Sequence, residues 1–403
     1  MRAYADLVRI RAARRLIGAT GAGKLGFATF PLATVLLGHG SSGSFIDAGL
    51  VAGAWAVGGT LTAPVRGHLI DRYGNRVPLA VLSLGTVIAV TGLATATTAL
   101  PLVVFGALAG AVAPPVVAGI RPLWSRVVHR NLVRSAYATD AVLTEVAKVC
   151  GPLIAAAAAV WSARLGVVAA GLLLVAGTSL LIMRPGPGPG PGPAALASSG
   201  VRTTGAVLAT SSLRLLLLGN IAVGFCLGAL TVGLPARASE HGSAADSGWL
   251  FACLGLGSAI AGTWFGTRRR TQPATGYPLG FLWLSLALAP AVLLPVGALL
   301  AAVLVIAGGA LAPVTVCLFE LLDEHAPHGT AVSSMMWMVS AEELGIALGT
   351  MLAGVQAQEA GASLAIATGV AGAGVGAVTL TMQRGKLVSP AAQQPNLPHD
   401  QGR

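Results

Sequence analysis

Six ionisable residues lie inside long apolar runs of this chain, where a charge is costly unless it is paired, neutralised or facing water. Lys24 falls in "GATGAGKLGFATF", Asp140, Glu145 and Lys148 in "ATDAVLTEVAKVCGP", and Glu342 and Glu343 in "SSMMWMVSAEELGIALG". Carboxylates and amines so placed can hold and release a proton, or grip a polar group entering the apolar phase. Glu145 and Lys148 are spaced i, i+3 on a helix and are expected to pair with each other. Asp140 lies near the end of its run, where pairing with loop arginines is the simpler expectation. Lys24 and the Glu342–Glu343 pair are harder to explain structurally and stand as candidate proton or substrate residues. Adjacent residues diverge by ~100° on a helix, so only one of the two glutamates can face a cavity squarely. Met335, Met336, Trp337 and Met338 beside them, and Phe27 and Phe30 near Lys24, offer either an adaptable apolar surface or plain packing.

Other chemistries are excluded by what their motifs lack. "GATGAGKL", Gly18 to Leu25, has the glycine and lysine spacing of a phosphate loop. Yet Leu25 stands where a hydroxyl should hold magnesium, and no strand precedes it. Glycines this close inside an apolar run let helices approach instead. Cys150, Cys226, Cys253 and Cys317 are scattered and form neither a disulfide framework nor a zinc site. No HExxH, GxSxG or paired metal-ligand pattern is found. The chain is not expected to be an enzyme, and no cofactor is implied.

The elements that must position these charges follow from composition. Of 403 residues 55% are hydrophobic and only 10% charged, with a mean hydropathy of +0.78. A soluble domain carries roughly 25% charged residues, so this is an all-helical, multi-pass protein of the lipid bilayer. The first apolar run is long and many follow it, which argues against a cleaved leader. Spans are expected at 16–37, 44–65, 77–97, 100–120, 138–160 and 165–183, then 213–235, 248–267, 277–294, 296–319, 331–353 and 363–382. Each approaches the ~20 residues that cross a bilayer. The net charge of +11 records orientation. Arginines before the first span, after the second, fourth and eighth, beside the central linker and in the tail all share one side if spans alternate. The opposite loops hold only Arg164 and Arg237. Cytoplasmic loops retain Lys and Arg, so both termini are expected inside a cell membrane, and no nucleic-acid partner is implied.

The chain divides in the middle. Pro and Gly alternate from Pro185 to Pro193, which permits neither helix nor sheet and reads as an extended linker. The expected organisation is a six-helix bundle over 1–184, a cytoplasmic linker over 185–212, a second bundle over 213–382 and a cytoplasmic tail over 383–403.

Between the second and third spans stands a polar island, "GHLIDRYGNR", residues 67 to 76. It closely resembles the signature loop of the major facilitator superfamily, G-x-L-a-D-r-x-G-r-r. Gly67, Leu69, Asp71, Arg72, Gly74 and Arg76 fall on its positions, and Asn75 departs mildly. A merely solvated basic loop accounts for the arginines but not for Asp71 or the glycine spacing. The equivalent stretch of the second half, "GTRRRTQPATG", keeps glycine and arginines and lacks the aspartate. The resemblance implies two six-helix bundles that rock about a midplane cavity. It implies that Asp71 contacts neighbouring charges and the eleventh helix, favouring the outward-facing state. A weaker resemblance, to the fifth-helix signature of drug antiporters, places Gly151 and Pro152 in register while alanine replaces four of five glycines. The arginine such proton antiporters carry in their fourth helix is absent. The expected function is proton-coupled export of a small amphiphilic molecule by a monomer, as in bacterial-type drug and metabolite efflux. Import of a metabolite, and a transport-inactive sensor or assembly partner, are the alternatives.

Overall fold

A computed structural model describes residues 7, 9–74, 76–115, 124, 127–128, 132–182, 210–267, 272–326 and 331–388. Of residues 64, 67, 68, 71, 133, 134 and 331–333 it describes the backbone alone. Among the described residues every regular element is helical. The main helices are α1 (Arg11–Ser42), α2 (Phe45–Tyr73), α3 (Arg76–Thr95), α4 (Ala99–Val112), α5 (Val133–Trp161) and α6 (Ala163–Ile182). They continue with α7 (Ser211–Ser239), α8 (Ser247–Thr267), α9 (Pro273–Leu288), α10 (Ala298–His325), α11 (Ala331–Ala360) and α12 (Ala362–Met382). Among the described residues eleven helical stretches are long and apolar enough to cross a membrane, and α4 is a shorter apolar helix. Large apolar side chains such as Leu61, Val160, Leu293 and Leu299 point outward, the surface of a protein solvated by lipid.

The hydrophobic interior has three parts. One core joins α1–α6 through Leu16, Phe30, Leu37, Trp55, Leu93 and Leu174. Another joins α7–α12 through Leu216, Leu230, Tyr277, Phe281, Leu304 and Leu321. A small seam of Val35, Phe45, Ala48, Ala229, Val232 and Ala353 draws from both sets, at the end of the bundle away from the chain termini. There Gly49 of α2 lies against the Thr350 carbonyl of α11, and Gly248 of α8 against Ala156 of α5. The two sets are therefore joined along α2–α11 and α5–α8, from this distal end to mid-depth.

Two expected boundaries are corrected. α2 does not stop at 65 but runs to Tyr73, so most of the polar island is helix; Gly74, at φ 72°, ends it. That left-handed conformation favours glycine. The fourth span is shorter than 100–120. Residues preceding proline are pushed out of the α region, and Ala113, before Pro114 and Pro115, has ψ 121°. Helix α4 thus ends at Val112, at ~21 Å of length, too short to cross ~30 Å of hydrocarbon. Residues 116–120 of that expected span lie outside the described residues, as do the linker from 185 to 209 and the tail beyond 388.

Candidate functional site

Lys24 and Asp140 answer each other. The Lys24 ammonium lies 2.7 Å from Asp140 Oδ1, and both residues are buried. It also donates to the Asp140 carbonyl at 2.8 Å and to Thr144 Oγ1 at 2.7 Å. The pair pins α1 to α5, and removing one member would strand the other's charge in an apolar setting. Sequence reading gave Asp140 to loop arginines and missed this partner, which lies 116 residues away. Glu145 and Lys148 form the expected i, i+3 pair at 2.8 Å, partly exposed on α5. One turn on, Gly151 packs against Ala28 of α1, and Pro152 lies within α5.

Glu342 and Glu343 sit near the middle of α11, where that helix meets both α2 and α7. Gly224 of α7 leaves no room for a Cβ against the Glu342 carbonyl, and Gly345 none against Ile221, so α7 and α11 run nearly backbone to backbone. This contact fixes how the two glutamates project. Glu343 has Glu342 beside it on α11, Arg66 stands on the neighbouring α2, and no described ion pair joins either glutamate to Arg66 or Lys148. Both carboxylates come from the second half and both cations from the first. Glu343 Oε2 is buried without a hydrogen-bond partner among the described residues.

Arg66 is the residue that sequence reading missed. It was counted among the loop arginines, one position beyond the expected end of the second span, yet it is only 9% exposed. Its guanidinium donates through Nη2 to the Gly59 carbonyl at 2.7 Å and through Nη1 to the Ala113 carbonyl at the end of α4. The available signal was the Pro114–Pro115 break, which leaves helix-end carbonyls at membrane depth in need of donors.

The island is only partly visible. Leu69 is partly buried, Arg72 lies over the Tyr73 ring at 5.4 Å, and Arg72 and Arg76 are exposed. The side chain of Asp71 lies outside the described residues, as does Asn75. The Asp71 backbone belongs to the last turn of α2, whose own dipole end is negative.

Of the apolar candidates, Met338 is buried and accepts from Asn220 Nδ2 at 3.2 Å, while Met335 and Trp337 pack against the second core. Phe30 is fully buried against Trp55, with Phe27 on another side of the same indole. These are packing roles. A lipid-facing groove of about 690 Å³ between α9 and α12, lined by Ser285, Leu293, Val370 and Gly374 among others, lies apart from the charges. No cluster of metal-ligand side chains occurs among the described residues.

The profile of the Major Facilitator Superfamily matches residues 16–350. No curated protein sequence matches. Among solved structures, the chain is similar to the human organic anion transporter MFSD10 (TETRAN), with a TM-score of 0.62 at 18% identity over 92% of this chain and 99% of that one. It is similar to a bacterial homologue of the human lysosomal transporter Spinster, TM-score 0.63 at 18% identity, covering 92% and 95%. It is also similar to a D-xylose–proton symporter, TM-score 0.64 at 14% identity, covering 91% and 96%. At such identities the likeness concerns the fold. The chain belongs to the Major Facilitator Superfamily, a family that indicates a transporter rather than an enzyme.

Proposed function

We propose that this member of the superfamily is a secondary active transporter that exports a small amphiphilic molecule against protons by rocking its two halves. The observation that carries the reading is the placement of two carboxylates, Glu342 and Glu343, at mid-depth on α11, where that helix packs against α2 of the other half. Charges at this depth are retained only for a task, because each costs several kcal/mol in hydrocarbon. A carboxylate that meets a cation across the interface changes its partners whenever the halves move. Such a group can couple proton loss to closure and proton gain to opening. The seam at the distal end supports a state closed on that side, with alternating access through the opposite end. The composition of the polar island supports a conformational switch at Gly67, Leu69, Asp71, Arg72, Gly74 and Arg76.

In this reading both termini and the linker are cytoplasmic, the membrane is the cell membrane, and the monomer suffices. Cysteines placed at Gly190 or Ala392 should escape a membrane-impermeant thiol reagent added outside intact cells; reproducible labelling of either reverses the orientation. Purified protein in liposomes, given an imposed pH gradient and a panel of amphiphilic cations, anions and neutral compounds, should move at least one of them. A gradient-independent null result across the panel, from folded protein, favours a sensor or assembly role. Accumulation in the direction of proton entry favours an importer, and the fold is also that of a D-xylose–proton symporter.

A further inference from the structure

We propose that Arg66 is the built-in cation of the interrupted helix α4 and the partner of Glu343 in a latch between the two halves. The inference rests on the transport reading above and assigns it a positioning residue. The starting point is the broken helix. Because α4 ends at Val112, its last carbonyls form the negative end of the helix dipole; Gly110 accepts from the Ala113 N–H, while Pro115 has no N–H to offer the Ala111 carbonyl. In a bilayer no water is at hand to satisfy them. Side chains from the neighbouring helix α2 do so. Thr62 shares its single O–H between the Ala111 carbonyl at 2.8 Å and its own-helix Gly58 carbonyl at 2.8 Å, and Arg66 donates to the Ala113 carbonyl. Converging carbonyls at a helix C-terminus make a cation site. Here the chain fills that site with its own guanidinium.

The guanidinium is not used up by these bonds. It carries five N–H donors in a fixed fork. Nη1 and Nη2 are engaged, while Nε is buried and unpartnered among the described residues. Glu343 Oε2 is the complementary orphan, a buried acceptor on α11. A buried polar atom without a partner costs ~1–3 kcal/mol, so two of opposite sign on facing helices point to a pairing in another state. Their depths agree. From the contact of Gly53 with Met351, the Cα of Arg66 lies ~20 Å and that of Glu343 ~12 Å toward the terminal end, at 1.5 Å per residue. The Arg66 side chain runs back along α2 to the Gly59 carbonyl. Glu343 leans toward the start of its own helix, which is the terminal end. Both corrections bring the two charged heads to one level.

The remaining charges around Glu343 are few. Its own helix contributes Glu342, and the facing helix α2 contributes Arg66. The face of α7 against α11 presents Gly224 and Gly228. In the state described the two heads form no ion pair: Arg66 Nε and Glu343 Oε2 are each buried without a partner among the described residues. Closing the terminal ends of α2 and α11 brings Nε–H onto the carboxylate. The same guanidinium holds the end of α4, so engagement of Glu343 is felt at the break in that helix.

The test reads the latch without relying on transport. Nitroxides at Tyr73→Cys on α2 and Val339→Cys on α11, in full-length protein in nanodiscs, report the distance between the terminal parts of the two helices. The expected result is two distance populations, with Arg66→Gln and Glu343→Gln each favouring the wider one by about fivefold or more, and the double variant shifting no further. Arg66→Gln keeps amide donors for the carbonyls. If it does not fold, Arg66→Lys serves, and addition of methylguanidinium to Arg66→Ala is expected to restore the narrow population. Unchanged populations in both single variants, or additive shifts in the double variant, overturn the proposal. A wild-type protein that moves no compound in liposomes sinks the transport reading, while the distance result stands or falls separately.

Discussion

The seams α2–α4 and α8–α10 are built alike and finished differently. In the first, Gly58 meets the Ala107 carbonyl and Gly110 the Trp55 carbonyl; in the second, Gly257 meets the Val305 carbonyl and Gly308 the Leu254 carbonyl. The two helices of each seam touch through bare backbone, and in each the later helix is interrupted soon after its glycine. Helix α4 stops at Val112, and α10 breaks between Gly308 and Leu311. The residues that follow the first glycine then diverge. Four and eight positions after Gly58 stand Thr62 and Arg66; four and eight after Gly257 stand Ala261 and Phe265. One interruption is met by a hydroxyl and a guanidinium, the other by a methyl and a ring packed into the core. Related packing thus supplies one half with a charged, switchable end and the other with an apolar one. Arg66, at the charged end, is the proposed partner of Glu343 on α11.

The shared part of the seams should break equally. Gly110→Val and Gly308→Val each force a side chain into a backbone carbonyl, so each should cost about 3 kcal/mol, seen as lowered apparent melting midpoints in detergent. A large loss in one and none in the other would end the parallel between the halves.

The unlike parts should respond unequally. Asp71→Asn is expected to leave insertion intact and slow transport by about tenfold or more, the scale of a switch coupling of 1–3 kcal/mol. Arg270→Gln, four residues after Gly266 as Asp71 is four after Gly67, should change the rate by less than about twofold on the same scale. Lysine should replace Arg72 or Arg76 better than alanine if positive potential is their contribution. Normal turnover by well-expressed Asp71→Asn removes the switch assignment.

The smallest effect concerns the hydroxyl. Thr62→Ala leaves the Ala111 carbonyl short of a donor and should destabilise by about 1 kcal/mol, whereas Ala261→Ser should be close to neutral. Equal effects in a thermal melt would show that the break in α4 does not depend on its donors.

How far these features were legible depends on distance along the chain. Most of the spans and the Glu145–Lys148 pair could be read because apolar run length and the i, i+3 rule are short-range. The apolar content of "LVVFGALAGAVAPPVVAG" hid the break at Pro114–Pro115, since hydropathy does not register a missing amide. An end placed eight residues early on α2 turned Arg66 from a buried donor into a loop charge. Hydropathy falls within the island, but a helix with satisfied backbone can continue into polar sequence until Gly74 stops it. The Lys24–Asp140 pair and the surroundings of Glu342 and Glu343 depend on how α1, α2, α5 and α11 pack, and no local pattern encodes that.

The central claim is that carboxylates on α11 couple protons to movement of a substrate. It is tested most directly by substrate-dependent proton movement in liposomes, comparing wild type with Glu342→Gln, Glu343→Gln and the double variant. One single variant is expected to lose coupled transport by about a hundredfold, the other to be milder, and substrate binding to survive in both. Full pH-gradient-driven transport by the double variant would contradict the account and pass the role to Glu145 or Asp140.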